Sequence, residues 1–271
     1  MLPMLTLHDL HIGYRRHTVC RHLTASLPPG RLVALLGTNG CGKSTLLRTL
    51  AGLLPPVAAG NMPEGDGEAD AGTRHAALCL DGKPMSQFTA RELARRVSVV
   101  LTFKPEAEAL TAAEVVSMGR IPHASWLTGL NAADREMVER ALQLTDTLRL
   151  AHRQLNSLSD GERQRVFIAK ALAQDAPVIL LDEPTAFLDF PSKIAMLHLL
   201  RRLAHQENKA ILLSTHDVEP ALQLADTLWL LHSDGILAGS PQALAEQGDI
   251  AAYFEPQGMH FDAAQMRFSY R

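Results

Sequence analysis

Cysteine is scarce in this chain, which has 3 cysteines in 271 residues: Cys20, Cys41 and Cys79. They are odd in number and widely separated, so they favour neither a disulfide framework nor a zinc site. They are typical of a protein from a reducing compartment. The 12 histidines are scattered without the spacing of metal ligands, and most are expected to be surface or structural residues.

Long apolar runs and a strong charge of one sign are also lacking. No apolar stretch is long enough to span a membrane, and the N-terminus lacks the pattern of a secretory signal. We therefore expect any work at a membrane to be done from its surface, through a partner. The formal net charge is -3, from 26 basic and 29 acidic residues, which gives no indication of a nucleic-acid partner.

Short apolar runs alternate with helical patterns along most of the chain. This alternation predicts an α/β fold with a mostly parallel sheet and helices on both faces. Residues 4–12 alternate apolar and polar residues, as a half-buried strand would. The pattern at 192–206 predicts a helix, with Ser192 as its N-cap. The expected buried strands are 31–37, 177–182, 210–215 and 227–232.

Two regions depart from this alternation. Residues 55–75 are rich in proline, glycine and acidic residues, and they predict a long loop that can be shortened without loss of activity. Residues 111–150 show only helical patterns, with Thr111 and Glu114 at capping-box spacing. They predict a helical insertion into the α/β core.

A glycine-rich segment, GTNGCGKS at 37–44, follows an apolar strand and precedes a helical pattern. This context is that of a phosphate-binding P-loop. Backbone N–H groups and the start of the helix would bind phosphate, Lys43 would reach the β- and γ-phosphates, and Ser44 would ligate Mg²⁺. Cys41 lies two residues before Lys43. We favour the interpretation that this position tolerates any small residue; the alternative is a reactive thiol, whose alkylation would block nucleotide binding.

Two carboxylates end a buried strand in VILLDEP at 178–184. Ligands bind at the carboxyl ends of parallel strands, so Asp182 would hold Mg²⁺. Glu183 would orient or deprotonate an attacking water.

A second anion site is predicted at the start of the helix in LNSLSDGERQRVFIAKALA, residues 155–173. Ser159 and Glu162 have capping-box spacing. Gly161 is a poor helix former, but it leaves backbone N–H groups open to a ligand.

These motifs together resemble the ATP-binding cassette (ABC) ATPases over nearly the whole chain. LSDGE at 158–162 resembles the family's signature, beside a Walker A motif at 37–44 and a Walker B motif at 178–183. FLDF at 187–190 resembles the D-loop and STHD at 214–217 the switch strand. The resemblance implies a P-loop NTPase core with an N-terminal antiparallel β subdomain and an inserted helical subdomain. The implied boundaries are 1–106 for the first part of the core, 107–154 for the helical subdomain and 155–271 for the second part.

The resemblance implies that this chain hydrolyses MgATP with two cassettes packed head to tail, either as a homodimer or paired with a similar cassette. Ser159 and Gly161 would then act on the ATP bound by the other copy, with Asp189 near the interface. His216 would contact the γ-phosphate and stabilise the transition state, beside the catalytic Glu183 and Lys43. The implied nucleotide-binding residues are Tyr14, which would stack on adenine, and Gly37, Asn39, Gly40, Cys41, Gly42, Lys43, Ser44, Thr45, Ser159, Gly161 and Asp189.

One position departs from the family pattern. The family has a glutamine at the end of the strand that precedes the helical region, and alignment of the apolar run VSVVLT places Thr102 there. Thr102 is therefore a further metal candidate, although its side chain is shorter. It would also lie at the hinge between the core and the helical region.

Segments at 80–100 and 110–123 resemble the branch that imports iron chelates, haem and cobalamin. This implies a peripheral subunit on the cytoplasmic face of the bacterial inner membrane. Its partners would be integral permease subunits and, through them, a periplasmic or lipoprotein substrate-binding protein. The alternatives are an importer of another solute, such as zinc or manganese, and a soluble ABC ATPase that clamps nucleic acid.

Overall fold

The computed structural model describes residues 3–14, 17–57, 78–101, 109–124, 129–255 and 259–270. Its strands are β1 (Leu5–Tyr14), β2 (His17–Leu27), β3 (Leu32–Leu36), β4 (Leu78–Leu80), β5 (Lys83–Pro84), β6 (Val97–Val100), β7 (Val178–Asp182), β8 (Ala210–Ser214), β9 (Thr227–His232), β10 (Gly235–Gly239), β11 (Met259–Asp262) and β12 (Arg267–Tyr270). Its α-helices are α1 (Lys43–Leu50), α2 (Ala90–Ala94), α3 (Ala112–Ser117), α4 (Ala132–Leu144), α5 (Asp160–Ala173), α6 (Phe190–Gln206), α7 (Val218–Leu224), α8 (Pro241–Glu246) and α9 (Asp249–Phe254).

The central sheet has six strands in the order β10-β9-β3-β8-β7-β6. Its strands pair in parallel except for β9 with β10. A second sheet, in the order β2-β1-β4-β5, is antiparallel throughout. The predicted α/β class, with a mostly parallel core and an N-terminal antiparallel sheet, is therefore confirmed.

Strand β3 shows why the central sheet has continuous apolar strands. All five of its residues are buried, because both faces of the strand are covered. Val33 and Leu35 pack in the core that lies under the antiparallel sheet. Ala34 and Leu36 pack against the C-terminal helices, in a core that includes Phe254. This burial fixes the strand that leads into residues 37–44.

The predicted helical region contains α3 and α4, and α5 packs against both. The capping box expected at Thr111 and Glu114 is present. A buried ion pair connects the helices: Arg120 Nε lies 2.9 Å from Asp134 Oδ1, and Arg120 also donates to the Ala173 carbonyl at the end of α5. The Arg120 side chain holds the pKa of the Asp134 carboxyl below its usual value, and the Asn131 backbone N–H adds to the effect.

The predicted N-cap at Ser192 is wrong. The N-cap of helix α6 is Asp189, three residues before Ser192, and its side chain accepts from the Ser192 backbone N–H. Pro191 occupies the first turn of the helix, where its missing N–H has no cost. Ser192 therefore donates its backbone N–H to the capping side chain and is not itself the N-cap.

Two sequence predictions fall on residues 58–77 and 102–108, outside the described residues: most of the 55–75 loop, and Thr102 as a metal candidate. In the part of the chain that is described, no helix is both long and apolar enough to cross a membrane.

Candidate functional site

The P-loop connects β3 to α1. Gly40 and Gly42 have φ angles of 77° and 107°, which side chains rarely tolerate. A Cβ on Gly42 would also lie 2.8 Å from Val19 Cγ1. Gly42 is the N-cap of α1 and provides no capping side chain, so the first N–H groups of this helix remain available to an anion.

Lys43 is buried at the first position of α1. Its Nζ donates to the Gly37 carbonyl at 2.9 Å and to the Thr38 carbonyl at 3.1 Å. Both acceptors belong to the P-loop, so the ammonium group lies within the loop. A cation in this position adds to the field of the helix start and favours phosphate.

Three oxygen-bearing side chains meet at the carboxyl edge of the sheet. Ser44 Oγ donates to Asp182 Oδ1 at 3.1 Å, and Ser214 Oγ donates to the same oxygen at 2.7 Å. Asp182 is buried, and β7 and β8 pair so that Asp182 lies opposite Ser214. A carboxylate beside hydroxyl groups is a set of hard oxygen ligands, which suits Mg²⁺.

Glu183 follows Asp182 in a left-handed conformation, with φ of 51°, which is uncommon for a residue with a side chain. Its backbone N–H donates to Ser214 Oγ at 3.0 Å. Its carboxylate pairs with His216, at 2.6 Å between Oε1 and Nε2. The structure therefore brings together the predicted base and the predicted switch histidine next to Asp182.

The two long strands of the antiparallel sheet both contact the P-loop or its helix. Tyr14 Oη on β1 lies 3.2 Å from Thr45 Oγ1 on α1. Cys20 Sγ on β2 donates to the Cys41 carbonyl. Burial, and then the neighbouring Cys41 thiol, raise the pKa of Cys20 to about 11, so its thiol stays protonated at neutral pH.

A side chain at position 37 would clash with its neighbours. A Cβ at this position would lie 2.4 Å from Cys41 Sγ and 3.4 Å from Tyr253 Oη. Tyr253, on α9, donates from its hydroxyl to the Leu231 carbonyl at 2.7 Å. Burial is the main reason why the Tyr253 pKa is raised to about 12. The C-terminal helices therefore pack directly against the start of the P-loop.

A further network connects the residues after β8 to α6. Asp217 accepts from Thr185 Oγ1 at 2.8 Å and from Lys193 Nζ at 2.6 Å. It therefore connects three segments: the residues after Glu183, the first turn of α6, and the residues after His216.

Ser159 and Gly161 lie at the start of α5 and are not grouped with the P-loop. They line a cavity of about 340 Å³ with Asp146, Arg149 and Leu188, and none of the described residues that line it belongs to the P-loop. The capping box is present, with the Glu162 N–H donating to Ser159 Oγ. The Ser159 backbone N–H in turn lowers the Glu162 pKa.

Packing against the described residues does not require a glycine at position 161. A Cβ there would meet only Leu188 Cδ2, at an ordinary 3.6 Å, and its φ is not in the left-handed region. Asp189 is exposed, and its pKa is lowered by the Ser192 side chain and backbone N–H. Its predicted place at a dimer interface stays a prediction.

The contacts of Ser214, Asp217, Cys20 and Tyr253 were not predicted from the sequence. One feature of the sequence could have indicated Ser214: it is a polar residue at the end of the apolar run AILL. Tyr253 had no such signal, because it lies 212 positions after Cys41 in the P-loop.

Comparisons with known proteins agree on the class of protein. The family model described as ABC transporter matches residues 20–186. The achromobactin transport ATP-binding protein of Dickeya dadantii is 36% identical, over 93% of this chain and 88% of that protein. The ferric enterobactin transport ATP-binding protein of Escherichia coli is 35% identical, over 87% of this chain and 81% of that protein.

Among solved structures, the chain is similar to an ABC transporter described as of the metal-chelate type, in an inward-facing conformation. The TM-score is 0.75 and the identity 27%, and the alignment covers 94% of this chain and 90% of that one.

Proposed function

This chain belongs to the ABC transporter family and is an ATPase, and on that premise we propose that it drives the uptake of an iron chelate through a separate membrane permease. The relatives named above transport achromobactin and ferric enterobactin. The observation that carries the ATPase mechanism is the convergence of Ser44, Asp182, Glu183 and His216 at one edge of the central sheet.

We assign nucleotide binding to the P-loop and to Tyr14. Lys43 and the first N–H groups of α1 bind the phosphates, and Ser44 and Asp182 hold Mg²⁺. The ion, when bound, neutralises phosphate charge. Tyr14 lies beside Thr45 and is 45% exposed, which leaves its ring available to stack on adenine.

Glu183 is the proposed general base. Its carboxylate accepts a proton from the water that attacks the γ-phosphate, and His216 orients it through the 2.6 Å contact. The left-handed backbone at Glu183 and its N–H bond to Ser214 fix the carboxylate at the end of β7. A positioned base of this kind contributes about 10²–10⁴-fold to the rate.

We propose that the working unit contains two copies of this chain. Ser159 and Gly161 line a cavity apart from the P-loop, and no contact with a described residue requires a glycine at 161. Both facts fit a helix start that receives the γ-phosphate of ATP bound by another copy, with Asp189 close to the contact between them.

An apolar groove supports the proposed permease partner. It has a volume of about 460 Å³ and lies between α1, α2, β6 and α5. Leu53, Leu93, Val99, Phe167 and Ala171 are among the residues that line it. In the proposed assembly the permease lies in the bacterial inner membrane, this subunit lies on its cytoplasmic face, and a substrate-binding protein delivers the chelate from outside.

Transport in proteoliposomes tests the substrate. The tagged chain is purified from detergent-solubilised membranes of its host, with the membrane protein that accompanies it, and reconstituted with MgATP inside. We expect uptake of ⁵⁵Fe carried by a siderophore or as haem, or of radiolabelled cobalamin, and no uptake with Lys43→Ala. Uptake of free Zn²⁺ or Mn²⁺ instead would contradict the iron-chelate assignment. Capture of DNA or RNA at physiological salt, without a membrane protein, would contradict the importer.

A further inference from the structure

Three side chains that the ATPase does not use meet on the antiparallel sheet. Asp9 and His11 belong to β1, and His22 belongs to β2. One ligand atom from each lies within 4.8 Å of the other two. Asp9 Oδ1 is 2.7 Å from His22 Nδ1 and 3.7 Å from His11 Nε2. The two imidazole rings are 4.9 Å apart and nearly perpendicular.

The backbone of both strands is irregular where these side chains stand. Asp9 and His22 have φ angles of 50° and 52°. The pairing of β1 with β2 shifts register between Leu7 and Leu10, and again between Leu10 and Ile12. Such bulges re-aim side chains that regular pairing would hold apart. The Asp9 backbone N–H donates a hydrogen bond to Thr24 Oγ1 at 3.1 Å.

The side chain of His11 is only 7% exposed, whereas those of Asp9 and His22 are 70% and 55% exposed. Among the described residues, nothing hydrogen-bonds to His11 Nδ1, and Nε2 is the nitrogen that faces Asp9. With its proton on Nδ1, the buried imidazole presents the Nε2 lone pair to the cluster, which is the form that ligates metals.

We propose that Asp9, His11 and His22 bind a divalent first-row transition-metal ion, with water completing the coordination. Two imidazoles and one carboxylate favour such ions over Mg²⁺ and Ca²⁺. Ligand atoms bound at about 2.0–2.1 Å to a tetrahedral ion lie about 3.3 Å apart. The 2.7 Å and 3.7 Å distances from Asp9 lie on either side of this value, and all three ligand atoms lie within 4.8 Å of one another.

This site is separate from the Mg²⁺ ligands assigned to the ATPase, yet it shares strands with the nucleotide site. Tyr14, three residues after His11, contacts α1. Cys20, two residues before His22, contacts the P-loop. The test must therefore measure metal binding directly, with the ATPase as a separate readout.

Zn²⁺ and Co²⁺ binding to the untagged full chain tests the proposal. Titration calorimetry with Zn²⁺ is done in excess Mg²⁺, and Co²⁺ is followed by its visible absorption. We expect one saturable equivalent for the unmodified chain. Asp9→Asn and His22→Asn should each weaken binding by at least about tenfold, the lower end of what even indirect changes to metal sites cost. Asparagine tolerates the left-handed backbone at both positions.

His8→Asn is the matched control, because His8 is an exposed histidine on β1 outside the cluster. It should bind Zn²⁺ like the unmodified chain. Circular dichroism and basal MgATP hydrolysis should be unchanged in all three variants. The proposal is overturned if no saturable equivalent binds, or if the Asp9 and His22 variants bind as tightly as the control; the cluster is then an ion pair between β1 and β2.

Discussion

The carboxyl edge of the central sheet and the start of helix α5 both carry groups suited to phosphate, but they differ in their contacts. At the sheet edge, side chains from α1, β7 and β8 bind one another, with Asp182 accepting from Ser44 and Ser214. At the start of α5, the Ser159 hydroxyl and backbone N–H both bond to Glu162, in the same helical turn. The proposed base and metal ligands at the sheet edge therefore lie within one chain, whereas in our proposal the start of α5 acts on ATP bound by another copy.

The largest effect is expected at the sheet edge. Glu183→Gln should lower kcat by about 10²–10⁴-fold, because the amide cannot accept the proton of the attacking water. ATP binding should be retained, and ATP-bound dimers should accumulate. Single-turnover hydrolysis and gel filtration with MgATP measure both. Hydrolysis at the unmodified rate would remove Glu183 from the role of base.

The buried ion pair between Arg120 and Asp134, which contacts the end of α5 and not its start, should matter for stability and not for chemistry. Arg120→Ala leaves Asp134 buried without its partner, so it should lower the free energy of unfolding by about 3–5 kcal/mol. Urea unfolding measures this. Arg135→Ala replaces an exposed arginine on α4, next to Asp134 in the sequence, and should change the free energy of unfolding by less than about 0.5 kcal/mol. Equal effects of the two variants would contradict the proposed contribution of the pair.

Gly161→Val tests whether the helix start acts on another copy. Its Cβ fits beside Leu188, so folding should be unaffected. Loss of the N–H contacts to phosphate should lower kcat by about 10²-fold. Lys43→Ala should be inactive for a different reason, because its own P-loop loses the ammonium group that binds phosphate.

Mixing these two inactive variants sharpens the comparison. A mixed dimer pairs one intact P-loop with one intact helix start, so activity should recover to at most roughly a quarter of the unmodified value if copies mix at random. No recovery at any mixing ratio would indicate that each chain completes its own site.

The smallest expected effect concerns the Glu162 carboxylate. Its pKa is lowered, chiefly by the Ser159 backbone N–H, so its contribution to stability is present above the ordinary glutamate pKa. It is lost as the pH falls through the lowered pKa. Glu162→Gln should therefore lower Tm by no more than about 2 °C at pH 7. The difference should vanish in strongly acidic buffer, and a difference that grows as the pH falls would contradict this assignment.

The sequence predicted the features that depend on neighbouring residues. The P-loop, the strand end at Asp182 and Glu183, and the capping boxes at Thr111 and Ser159 were all recognisable, because each is a local pattern with a local cause. The predicted cap at Ser192 was also a local pattern, but it was wrong. Asp189, three positions earlier, caps the helix by accepting from the Ser192 N–H.

Features that depend on residues far apart in the chain were not predictable from the amino-acid sequence. Asp9 and His22 are 13 positions apart and meet only because β1 and β2 pair with bulges, so the histidines showed no metal-ligand spacing. Ser214 meets Asp182 through strand pairing across 32 positions.

The sequence by itself determined the class of chemistry, because phosphate binding by a P-loop and proton transfer by a strand-end glutamate need particular residues in a particular local order. The tertiary structure decided which groups work together. The parallel register of β3, β7 and β8 brings Ser44, Asp182, Glu183 and His216 to one edge, while the start of α5 faces a separate cavity. Packing of elements far apart in the chain, and not local propensity, sets those distances.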